Sequence, residues 1–139
     1  MLKISDATAL AVHATALLSN KPAEHRSTRE VAGSLGVSQA HLAKVLQRLG
    51  RAGLVRSVRG PRGGFALAHE PSEITLMQVF EAIEGPFAPR SCLLGSQVCG
   101  GAACLMGDLL VRLNEQVRTY LAETTLSAVA SIIPEAVRR

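Results

Sequence analysis

Gly53-Leu54-Val55-Arg56-Ser57-Val58-Arg59-Gly60-Pro61-Arg62-Gly63-Gly64-Phe65 is the stretch that decides the fold. Leu54 to Val58 predicts one short strand and Phe65 to Ala68 a second, with a glycine-rich tip between them. Glycine removes side-chain clashes, so such a hairpin tip can turn tightly and approach another surface closely. Arginines at 59 and 62 on that tip suit phosphates or a narrow minor groove. The tip is not a nucleotide-binding loop, because it joins two strands and lacks the strand-to-helix setting such loops need.

Immediately upstream lie two short helices. Ser27-Thr28-Arg29-Glu30 is a capping-box pattern that starts a helix running to Leu35, with Val31, Ala32 and Leu35 inward. Gly36 supplies a left-handed cap, Val37 plugs the core, and Ser38 caps the next helix. That helix runs from Gln39 to about Ala52 with Leu42, Val45, Leu46 and Leu49 on one face, and Gly53 stops it. Two short helices joined at a glycine turn form a helix-turn-helix, and the hairpin after them makes it winged. A further helix precedes them, from Ser5 to Leu18, with Ile4, Ala7, Leu10, Ala11, Ala14, Leu17 and Leu18 at three- and four-residue spacing. It ends at Asn20-Lys21-Pro22, since proline cannot continue the ladder.

Downstream, Thr75 to Glu84 predicts a fourth helix with Leu76, Val79, Phe80 and Ile83 inward, ending at Gly85-Pro86. The pattern then lapses from Phe87 to Ala103, where glycine and proline are frequent. A long helix is expected from Leu105 to Thr124, with Leu109, Leu110, Leu113, Val117, Tyr120 and Leu121 on one stripe. At about 30 Å it is too long for this core to cover alone, so part of its stripe is expected against a second copy. A weaker helix from Leu126 to Val137 is interrupted at Pro134.

The chain of 139 residues suits one domain, and the 47% apolar content excludes disorder. With aromatics at 3%, the composition favours helices over a sandwich or barrel. No apolar run approaches the ~20 residues of a membrane span, and Met1 to Ser5 carries no signal-peptide pattern, so a cytoplasmic protein is expected. The net charge of +4 is unevenly placed. Arg26, Arg29, Lys44, Arg48, Arg51, Arg56, Arg59 and Arg62 face only Glu30 within that interval, leaving the remainder net acidic. Such asymmetry suits a polyanion partner, although a solvated basic face would look the same.

Cys92, Cys99 and Cys104 fall within thirteen residues. An odd number in a cytoplasmic chain argues against a structural disulfide set, leaving inert or redox-active thiols or thiolate ligands. Three soft donors gathered in a Gly-rich loop suit an iron–sulfur cluster better than three separate buried hydrophobes. No Ser/His/Asp arrangement, phosphate loop or carboxylate pair stands at a plausible spacing, so no enzyme is expected.

Val37-Ser38-Gln39-Ala40-His41-Leu42-Ala43-Lys44-Val45-Leu46, the Gly53–Phe65 stretch, and Ile74-Thr75-Leu76-Met77-Gln78-Val79-Phe80-Glu81-Ala82-Ile83-Glu84-Gly85 together resemble the Rrf-two type of winged helix-turn-helix transcriptional regulators. The resemblance implies a mainly α fold with a small β-hairpin wing and a long dimerisation helix. Residues 1–86 would form the DNA-binding domain, 87–104 a cysteine-bearing sensor loop, and 105–139 the dimerisation helix and tail, in one structural unit. It implies a homodimer, joined through the long C-terminal helix, that reads a palindromic operator in double-stranded DNA as a repressor. Ser38, Gln39 and His41 would approach base edges, while Thr28, Lys44, Arg48 and Arg56 would hold phosphates or lie beside them. Arg59, Gly60, Pro61, Arg62 and Gly63 would form the wing in the flanking minor groove.

The resemblance also favours an iron–sulfur cluster, 2Fe–2S or 4Fe–4S, on Cys92, Cys99 and Cys104, sensing redox, iron–sulfur or nitric oxide status. One branch of the family takes its fourth ligand three residues after the last cysteine, where this chain has Gly107. Another takes an aspartate from the partner's first helix, where this chain has Ala9. His13, one turn beyond Ala9, is the substitute expected from the partner chain, with Asp6 and Asp108 as weaker options and a packed interface histidine as the alternative. His25, His41 and His69 are expected at the surface or the DNA face. A clusterless thiol- or partner-controlled regulator of the same fold is the rival, and an iron–sulfur carrier a more distant one that leaves the basic helix and wing without purpose.

Overall fold

The computed structural model describes residues 3–94, 96, 98–99 and 103–133. The expected break of the last helix at Pro134 and its end at Val137 lie outside them. Helix α1 (Asp6–Leu18) starts at Ser5, whose Oγ accepts the Thr8 backbone N–H at 3.1 Å. The expected single apolar face is only part of the outcome. Thr8, Thr15 and Ala16 are buried beside Leu10, Ala11, Ala14, Leu17 and Leu18, so α1 is the central helix. Its small residues allow close approach, and Thr15 is satisfied internally by donating to the Ala11 carbonyl at 2.8 Å. Ile4 lies outside the helix and is exposed.

Helix α2 (Thr28–Leu35) is capped by Ser27, which accepts from the Glu30 N–H. Gly36 closes it at φ 66, a left-handed conformation costly for any residue with a Cβ. Ser38 then caps α3 (Gln39–Arg51) by accepting from the His41 N–H at 3.3 Å. Leu42, Val45, Leu46 and Leu49 are all buried, and full burial of each leucine contributes on the order of 2 kcal/mol. This is the expected helix-turn-helix.

Strands β1 (Val55–Val58) and β2 (Gly64–Leu67) pair antiparallel, Val55 with Leu67 through Val58 with Gly64. A third arm flanks them: Arg26 and Phe65 exchange backbone hydrogen bonds of 2.9 and 2.8 Å. The wing is therefore tied to the segment that enters α2. A Cβ on Gly64 would overlap the Arg26 carbonyl and stand 2.7 Å from the Ser27 nitrogen, so only glycine fits there.

Helix α4 (Leu76–Glu84) carries a complete capping box between Thr75 and Gln78 and buries Leu76, Val79, Phe80 and Ile83. Helix α5 is Leu109–Glu123, starting four residues later than expected. Gly107, at φ 60, and a turn bond from its N–H to the Cys104 carbonyl occupy the missing turn. Its 15 residues span about 22 Å rather than 30. The apolar stripe also divides. Leu110 is buried, and Leu121 packs against the core, whereas Leu109, Leu113 and Tyr120 are 37%, 39% and 59% exposed. The chain returns to the core by pairing Thr125 with Thr75, then forms α6 (Leu126–Val129) and a 3-10 turn at Ala130–Ile132.

Candidate nucleic-acid interface and cysteine segment

With its leucines buried, α3 turns Ser38, Gln39, His41, Lys44 and Arg51 outward. The N-terminal residues 38–41 stand at the helix end where backbone N–H groups point away from the core. Thr28 is half-buried in the first turn of α2. In the wing, Arg56, Arg59, Gly60, Pro61 and Arg62 are exposed, and Gly63 closes the tip by donating its N–H to the Gly60 carbonyl at 2.9 Å. Gly60 holds φ 118, which side chains rarely adopt. His25 braces the wing from outside, its Nε2 donating to the Arg62 carbonyl. The sequence places His25 at the surface or the DNA face and carries no signal for this contact, because the partner is 37 positions away.

Two of the cations have partners within the chain. Arg26 is largely buried, with its side chain 14% exposed and Glu30 at 3.8 Å. Arg48, expected at phosphates, is exposed and donates from Nη2 to the Ile83 carbonyl at the end of α4. Among the described residues, Arg29, Lys44, Arg51, Arg56, Arg59 and Arg62 are exposed and enter no ion pair. Arg29 and Arg51 were not among the residues expected to touch DNA. Their only sequence signal was membership of the charge cluster.

The cysteine segment is pinned at its start. Phe87 packs edge-on against Phe80 with centroids 5.7 Å apart, and the Arg118 guanidinium stacks 4.8 Å above its ring. Asn114 Nδ2 donates to the Arg90 carbonyl at 3.1 Å. The Arg118 and Asn114 anchors have no local sequence signal, since they join the loop to a helix more than twenty residues later. Cys92 and Cys99 are half-buried and Cys104 exposed, all as free thiols. Cys104 Sγ accepts the Met106 N–H at 3.4 Å, and Cys92 Sγ donates to the Ser96 carbonyl at 3.4 Å. The donor type suits a soft metal centre, but Cys92, Cys99 and Cys104 are not gathered into one site among the described residues.

His13 is exposed on α1 rather than packed into its own core. Its Nδ1 lies 2.6 Å from the Ala9 carbonyl, so this nitrogen donates and any ligating role falls to Nε2. It lines a groove of about 360 Å³ with Asp6, Ala9, Leu35, Val37 and His41. Among the described residues, no three His, Cys, Asp or Glu side chains of one chain gather at metal-binding distance. Asp108 is engaged by Arg112 at 3.2 Å. No helix among the described residues is long and apolar enough to cross a membrane.

Comparison with known proteins places this geometry. Residues 4–131 match the family Rrf2, described as iron-dependent transcriptional regulator. A candidate HTH-type transcriptional regulator of Aquifex aeolicus is 31% identical over 131 residues, covering 92% of this chain and 91% of that protein. The structure of CymR, the global cysteine regulator of B. subtilis, superposes with a TM-score of 0.81 at 30% identity, covering 96% of this chain and all of that one. IscR of T. potens gives 0.74 at 26% identity, covering 97% and 90%.

Proposed function

The chain belongs to the Rrf2 family of transcriptional regulators, and from that premise we propose that it is a homodimeric repressor that reads a palindromic operator and senses through its cysteine segment. One observation carries the DNA reading: Lys44 and Arg51 of α3 and Arg56, Arg59 and Arg62 of the wing are all exposed and, among the described residues, in no ion pair. Ser38, Gln39 and His41 read base edges, Lys44, Arg51 and Arg56 hold phosphates with Thr28 beside them, and Arg59 and Arg62 enter the minor groove on the Gly60–Gly63 tip. Leu109, Leu113 and Tyr120 of α5 form the surface shared with the second copy. Phosphate contacts and base contacts respond differently to mutation. Arg56→Ala weakens all duplexes alike and reduces the salt slope by about one. Gln39→Ala relaxes preference at one position per half-site, at ~1–3 kcal/mol per base pair discriminated. Fluorescence anisotropy against salt, on operator and random duplexes, separates the two. Parental behaviour by both variants would remove α3 and the wing from the interface.

Cys92, Cys99 and Cys104 are the ligands for an iron–sulfur cluster, with His13 Nε2 of the second chain completing the set. Such a group would supply bonds sensitive to oxidation state and to nitric oxide. The chain's own part is to present three thiolates, to fix the His13 tautomer through Ala9, and to hold Phe87 and Arg90 against α4 and α5. Anaerobic purification should give a coloured protein containing iron and sulfide, and each of the three Cys→Ala variants should lose both. His13→Ala should keep a more labile group with an altered visible spectrum. The higher TM-score with CymR supports a second reading, in which the thiols act without a cluster. A colourless, iron-free protein that still binds its operator selects that reading.

A further inference from the structure

Within the five residues Ile83 to Phe87, three receive bonds or packing from three other helices. The Ile83 carbonyl accepts from Arg48 of α3. Glu84 Oε1 accepts from Ser5 Oγ, the cap of α1, and from Thr8 Oγ1 at 2.5 Å. Phe87 is held beneath Arg118 of α5. Between these ties Gly85 has φ 83, which fixes how the chain leaves α4 and enters the cysteine segment. Cys92 follows five residues after Phe87.

We infer that Glu84 and Arg48 are positioning residues that couple the cysteine segment to the DNA-reading helix. The inference rests on the reading above, in which α3 contacts DNA and the cysteine segment senses. Thr8 is 2% exposed, so its hydroxyl has little water to replace the Glu84 oxygen. The Ser5 and Thr8 hydrogen bonds, aided weakly by Arg48, hold the Glu84 carboxyl below its ordinary value. It is therefore ionised at neutral pH, and these bonds are charge-assisted. Arg48 meanwhile lies on the same helix as Lys44 and Arg51 yet is committed to the protein's own backbone. A displacement of Phe87 from its clamp is transmitted first to Glu84 and Ile83, then through Arg48 to the pitch of α3. Allostery needs such a physical element, whose arrangement both sites bias.

The test uses the full chain and a duplex that the parent selects from a random pool. Affinity is measured before and after the three thiols are alkylated with iodoacetamide, any bound iron first being removed by a chelator and complete alkylation confirmed by mass. The parent should change its affinity about tenfold, an ordinary coupling between sites. Glu84→Ala and Arg48→Ala should show less than a twofold response. Glu84→Gln should keep the parental response, because both hydroxyls bond one oxygen that the amide also offers. Hydrogen exchange at α3 amides should follow the same pattern, changing on alkylation in the parent and Glu84→Gln only. An equal response in parent and Glu84→Ala overturns the coupling and leaves the sensing reading standing. No response in the parent overturns the sensing reading itself. If Glu84→Ala does not fold, Glu84→Gln and Arg48→Ala decide, and identical behaviour in that pair overturns the assignment.

Discussion

Leu113→Glu will sediment as a monomer and lose roughly 10²–10⁴ in affinity for a palindromic duplex, as expected when two linked half-site contacts become independent. Leu113 is 39% exposed in the isolated chain and shares the outer row of α5 with Leu109 and Tyr120. A carboxylate there can reach water in the monomer, so it costs the fold less than it costs a closed interface. In a closed interface the same carboxylate is buried without a partner, which costs several kcal/mol unless the interface opens. Far-UV circular dichroism should therefore match the parent while sedimentation and anisotropy both change. A dimeric Leu113→Glu with parental affinity would place the shared surface elsewhere. Val117 is a weaker probe than its place in the stripe suggested, because it is half-buried in its own chain.

Gly64→Ala has the second large effect, and acts through the backbone. Its Cβ would collide with the Arg26 carbonyl, so the Arg26–Phe65 pairing must break or the wing must shift. Overpacking without relief costs on the order of 2–3 kcal/mol. For a chain of this size that corresponds to a Tm lower by roughly 5–10 °C. Operator affinity should fall further than stability alone requires, because Arg59 and Arg62 lose their aim. Gly33→Ala is the control: nothing lies within 4 Å of its Cβ, and α2 is helical there. It should be neutral or stabilising by about 0.5–1 kcal/mol. Calorimetry showing equal melting for Gly64→Ala and the parent would mean that the third arm does not hold the wing.

The sequence by itself determined the helix-turn-helix and the wing, because their determinants act within a few residues. Gly36 and Gly60 adopt backbone angles that a Cβ penalises, Ser5, Ser27 and Ser38 cap the helices that follow them, and the α3 leucines return to one face every three or four positions. Proximity in sequence singled out the three cysteines, but it did not determine their arrangement: among the described residues they are not gathered into one site. Tertiary structure alone decided which of the eight basic residues of the Arg26–Arg62 interval take partners within the chain. Arg26 was committed to Glu30, and Arg48 to a carbonyl 35 positions away. It also divided the α5 stripe between the core and the outer row, and joined Ser5 to Glu84 across 79 positions. Local pattern sets backbone conformation, because the competing energies lie within a turn or two. The partner of a long polar side chain is chosen afterwards, by whichever distant element packing brings within reach of its donors.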